Sequence, residues 1–104
     1  MDLELDELKR EFLAEAEEKV REIASTLDGE RSAEALDRLA YLAHQLKGSG
    51  GSYGYQKIST DAAEIEKAVE ALAAGDAEVA GAIDTHVAGL RDEIAKRLEE
   101  LSAR

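Results

Sequence analysis

Leu36-Asp37-Arg38-Leu39-Ala40-Tyr41-Leu42-Ala43-His44-Gln45-Leu46-Lys47-Gly48-Ser49-Gly50-Gly51-Ser52-Tyr53-Gly54 carries apolar or small residues at Leu36, Leu39, Ala43, Leu46, Gly50 and Tyr53. Steps of three and four put these on one face, so a single helix with a buried stripe runs through the stretch. His44 lies off that stripe: at about 100° per residue its side chain points about 130° from the stripe's centre, towards the rim or solvent. On its own face stand Ala40, Lys47, Gly48 and Gly51, all minimal except the lysine. A glycine inside a helix costs about 0.8–1 kcal/mol relative to alanine, so Gly48, Gly50 and Gly51 together give up roughly 2–3 kcal/mol of helix preference. Bare backbone beside an outward imidazole suits the close approach of another body, which is the role read for Gly48 and Gly51. Lys47 offers a flexible positive charge where an anion attached to the imidazole would sit.

The same periodicity extends outward in both directions and predicts an all-α chain, an antiparallel up-down-up-down four-helix bundle forming one domain over 1–104. Proline is absent and no stretch alternates like a strand. The first helix is predicted from about Leu3 to Leu27, with Leu5, Leu8, Phe12, Ala16, Val20, Ile23 and Leu27 inward. Asp28-Gly29 should end it, the glycine entering a left-handed cap. Ser32 is the expected N-cap of the second helix, which ends near Tyr53 with Gly54 making the turn. Ile58, Ala62, Ile65, Val69 and Leu72 form the stripe of the third helix. Ala74-Gly75-Asp76 then punctuates the passage to a fourth, from about Ala77 to Leu101. Its inward residues are Val79, Ile83, Val87, Leu90, Ile94, Leu98 and Leu101.

The spacing of His44, Leu46, Lys47, Gly48, Ser49, Gly51 and Gly54, followed by a helix carrying Ile58, Ala62, Ile65 and Glu66, resembles the signature of histidine-containing phosphotransfer (HPt) domains. The resemblance covers about the middle third of the chain; the outer helices match in length and amphipathic pattern only. It implies that His44 is a phosphoacceptor attacking through Nε2, with Lys47 steadying the phosphoryl oxygens. The donor would be the phosphorylated aspartate of a receiver domain, in a response regulator or hybrid histidine kinase, and the acceptor another receiver. The receiver would bring the Mg²⁺, this chain binding no cofactor of its own and acting as a carrier, not an enzyme. A neutral imidazole has the lone pair this needs. No nucleotide loop or kinase-type set of magnesium ligands occurs that would let the chain take phosphate from ATP unaided. Two other readings stay open: a helical adaptor that binds a kinase or receiver without carrying phosphate, and the phosphoacceptor domain of a sensor kinase.

Tyr41, beside His44 on the outer side, and Ala40 are candidate docking contacts for such a partner. Tyr53 and Tyr55 read as packing at the junction of the second and third helices. His86 reads as structural, since neither glycines nor a lysine cluster around it. The Glu-x-x-His motif of a di-iron bundle is missing at both histidines, where Tyr41 and Ile83 stand three residues before, so no metal site is expected.

A net charge of −11 opposes general affinity for nucleic acid or anionic lipid, which need basic patches. Yet no Asp or Glu occurs between Asp37 and Asp61, where Arg38, Lys47 and Lys57 fall, so the His44 segment is locally positive in sequence. Cysteine is absent, which removes disulfides and thiolate chemistry. The N-terminal residues lack the basic and apolar regions of a signal peptide, and no apolar run is long enough for a membrane span. A cytoplasmic monomer is the expectation, four helices sufficing to close a core.

Overall fold

Helix boundaries fall where the local chemistry puts them, in a computed structural model that describes residues 3–29 and 31–103. Met1, Asp2, Glu30 and Arg104, which the single-domain expectation includes, lie outside the described residues. The helices are α1 (Leu3–Asp28), α2 (Ala33–Ser52), α3 (Gln56–Ala73) and α4 (Ala80–Ser102). The Ser32 side chain accepts a hydrogen bond from Ala35 N at 3.1 Å and so caps α2, satisfying one of the amides a helix start leaves unpaired. Gly54 and Gly75 make the two tight turns with φ of +82° and +105°, the left-handed region that side chains disfavour. Gly29 does not join them: α1 ends in a tight turn with Gly29 N donating to Thr26 O. The fourth helix starts later than the periodicity indicates, because Asp76 Oδ1 accepts from Glu78 N and winds Ala77–Val79 into a single 3-10 turn.

Cross-links between helices fix the topology as a ring of antiparallel neighbours. Glu22 with Arg38 and Phe12 with Tyr53 join α1 to α2. Lys47 with Ser59 and with Glu66 join α2 to α3. Asp61 with His86 joins α3 to α4, and Arg10 donating to Leu101 O closes α4 onto α1. The contact between α2 and α3 is the most extensive and that between α1 and α2 the least. The protein is therefore an all-α four-helix bundle. Its core includes Leu13, Ile23, Leu39, Leu42, Leu46, Ile58, Ile65, Ile83, Leu90 and Ile94, all fully buried. Each such side chain contributes roughly 1.5–3 kcal/mol by leaving water.

Two assignments within α1 need correction. Leu5 and Leu8, expected inward, are 40% and 47% exposed, whereas Leu13 and Asp6 are buried. The stripe through Leu13, Ala16, Val20, Ile23 and Leu27 extrapolates back in three- and four-residue steps to Asp6, which leaves Leu5 and Leu8 about one position, or 100°, off it. At the same end Phe12 stacks on Tyr53 and Tyr55, with centroids 5.0 and 6.1 Å away, so both tyrosines pack at the junction of α2 and α3.

Candidate functional site

The α2–α3 contact places the candidate side chains. Leu39, Ala43 and Leu46 face the core, which turns His44 outward and leaves its side chain 65% exposed. One helical step further, Lys47 lies on the α3 side. Between them Glu66 rises from α3, just past the buried Ile65, with its side chain 18% exposed. Its Oε2 is 2.9 Å from His44 Nδ1, and its Oε1 accepts from Lys47 Nζ, also at 2.9 Å. One carboxylate thus serves two cationic or proton-bearing partners on the neighbouring helix.

The hydrogen bond from Lys47 holds the Glu66 carboxyl below its ordinary value; partial burial pushes the other way, and the His44 hydrogen bond adds to the lowering. Glu66 is therefore ionised near neutral pH, and an ionised carboxylate only accepts hydrogen bonds. At that contact the proton must sit on Nδ1, and the neutral imidazole then carries its lone pair on Nε2. Orientation and tautomer come from the same residue.

The lowered pKa also sets a pH dependence. A carboxyl depressed in the folded state contributes stability that is present above its unfolded value and is lost as pH falls through the folded one. Glu66→Gln is expected to flatten this part of the acid-unfolding profile while leaving stability at the lowest pH nearly unchanged, as measured by circular dichroism across an acid titration. An unchanged acid limb would show that Glu66 makes no such contribution.

The glycines separate into distinct roles. A Cβ built on Gly50 would meet Ser59 N at 3.1 Å and Ile58 Cγ2 at 3.2 Å, so Gly50 is where α3 crosses closest to α2. Gly51 is half-buried beside Ser59, whose Oγ would stand 3.6 Å from an added Cβ. Gly48 has nothing within 4 Å of that position and is exposed. Ser59 Oγ also donates to Lys47 O at 2.8 Å, tying α3 to the backbone of this segment.

Ala40 is partly buried against the core, and Tyr41 is exposed. The Tyr41 hydroxyl accepts from Gln45 Nε2 at 2.8 Å, and the Arg38 guanidinium lies 5.6 Å from its ring centroid. The segment's positive charge in sequence is balanced in space: Arg38 pairs with Glu22, Lys47 with Glu66 and Lys57 with Asp61.

Glu66 has no role in the sequence reading beyond belonging to the stretch that resembles the family. The signal that could have singled it out is a carboxylate directly after a core residue, on the helix that must pack beside α2. Among the described residues no group of three or more His, Cys, Asp or Glu is placed to hold a metal ion, and no helix is long and apolar enough to cross a membrane. The family model for the Hpt domain matches residues 7–104. No curated protein and no solved structure matches the chain.

Proposed function

This chain belongs to the Hpt domain family, whose members serve histidine phosphotransfer in phosphorelays, and we propose that His44 is the residue that carries the phosphoryl group between two receiver domains. The observation that carries this is the exposed imidazole whose Nδ1 is engaged by Glu66 at 2.9 Å. Nε2 attacks the phosphorus of the receiver's aspartyl phosphate. The N–P bond forms as the P–O bond breaks, and the aspartate leaves as carboxylate with the bonding pair. The Nδ1 proton stays on the ring, hydrogen-bonded to Glu66. Such a transfer depends chiefly on in-line positioning and on neutralising charge. Mg²⁺ on the receiver supplies most of the latter, and Lys47 adds to it after releasing Glu66. Tyr41 and Ala40 form part of the surface the receiver meets. The site operates in the cytoplasm, in a monomer.

The test is to mix the protein with a phosphorylated receiver and Mg²⁺ and to look for an acid-labile phosphoramidate at His44. Stable binding without transfer would overturn this reading in favour of an adaptor. Two variants refine it. Gly48→Leu is expected to keep the fold, since the position is open, while slowing transfer by at least about tenfold through blocked approach; an unchanged rate would remove close approach as the reason for this glycine. Lys47→Ala is expected to slow transfer by about three- to tenfold, and a wild-type rate would rule out contact with the phosphoryl oxygens.

A further inference from the structure

On the opposite flank of α3 stands a second histidine with similar surroundings. His86 Nδ1 lies 3.5 Å from Asp61 Oδ1, and the other oxygen of that carboxylate accepts from Lys57 Nζ at 2.8 Å. As at His44, α3 supplies a carboxylate that lies between an imidazole Nδ1 and a lysine ammonium. Asp61 is buried and the His86 side chain is 31% exposed. Small residues again flank the ring, with Ala82 one turn before and Gly89 one turn after. A Cβ on Gly89 would stand 3.4 Å from Asp61 Oδ2 and 3.8 Å from Lys57 Nζ, so α4 presents bare backbone to this pair. His86 Nε2 has no hydrogen-bond partner among the described residues. The sequence shows no lysine near His86; the fold brings one from α3.

We propose that His86 is a second phosphoryl acceptor, one that takes its phosphoryl group from small donors of the phosphoramidate class and not from a receiver. Asp61 is its positioning residue and Lys57 its counter-charge. The donor class follows from the surroundings: Asp92 and Glu93 on α4 lie close enough to act electrostatically on Lys57. An acidic receiver active site would bring several carboxylates against these, whereas a small anion brings one charge to Lys57, whose exposed ammonium can turn to it on leaving Asp61. In the step, the Nε2 lone pair attacks phosphorus and the Nε2–P bond forms. The P–N bond of the donor breaks, and its nitrogen, already protonated in phosphoramidate, departs as ammonia with the electron pair. The proton on the other ring nitrogen, Nδ1, stays on the imidazole, so no further reactant is needed. The inference does not rest on His44 acting as a carrier.

The test uses the full chain with His44→Gln, incubated with potassium phosphoramidate near neutral pH, and locates acid-labile phosphate by mass spectrometry. One phosphoryl group is expected at His86, absent when His86→Gln is added. Within the His44→Gln chain, Asp61→Asn and Lys57→Met are each expected to slow labelling by at least about fivefold. With His44 intact, Asp61→Asn should leave labelling at His44 at its wild-type rate, which a general loss of structure would not. Lys57 is more than half-exposed, so its replacement tests the site even where the Asp61 variant folds poorly. No label at His86, or labelling in the Asp61 and Lys57 variants as fast as in the His44→Gln chain itself, would reduce His86 to an ordinary imidazole. Labelling by a phosphorylated receiver but not by phosphoramidate would overturn the assigned donor class.

Discussion

His44→Gln is expected to abolish phosphotransfer, by at least about 10³-fold, with the fold intact. Glutamine has no nitrogen lone pair able to attack phosphorus, because its amide nitrogen is delocalised into the carbonyl. Nor does the substitution disturb packing: the side chain is mostly in solvent, and its partner Glu66 keeps the hydrogen bond from Lys47. Far-ultraviolet circular dichroism and the thermal midpoint should therefore stay at wild-type values while the acid-labile product disappears. Residual transfer within tenfold of wild type would move the chemistry to another residue.

The largest expected effect on stability belongs to Gly50→Leu. Backbone meets backbone at this point, with Ser59 N 3.1 Å from the place a Cβ would occupy. A backbone amide cannot swing away as the end of a side chain can. Overpacking of this kind costs about 1–3 kcal/mol, occasionally more. The gain in helix preference on losing a glycine, about 0.8 kcal/mol, offsets only part of it. A net loss of about 1–2 kcal/mol should lower the thermal midpoint by roughly 5–10 °C in a domain of this size. Gly48→Leu, two residues away, should shift it little. If both variants melted alike, the assignment of Gly50 to helix crossing would be wrong.

The bundle could be read from the sequence because its determinants are local. Stripes through Leu39, Ala43 and Leu46 or through Ile58, Ala62 and Ile65 define faces without knowledge of the neighbour, and Ser32, Gly54 and Asp76 mark ends through chemistry within a few residues. The expectation for α1 failed where two phases competed: Leu5 and Leu8 continue one apolar series, but Leu13 belongs to the other, and packing chose that one. At the proposed site, His44 and Lys47 stand out within their own helix. The contact of Glu66 with both does not, since it spans 22 residues of chain to His44 on a face created only when α2 and α3 meet. The three glycines of α2 look alike in sequence for the same reason. Only the path of α3 reveals that Gly50 faces a backbone and Gly48 faces open space.

The unequal packing around the ring of helices has a consequence for how such a protein can diversify. Imidazole, ammonium and carboxylate all ride on α2 and α3, the pair with the most extensive mutual contact, whereas α1 touches α2 least. Substitutions along the solvent side of α1 can therefore accumulate without displacing the His44 imidazole. New recognition preferences could be drafted on that helix while the geometry of His44, Lys47 and Glu66 is inherited unchanged.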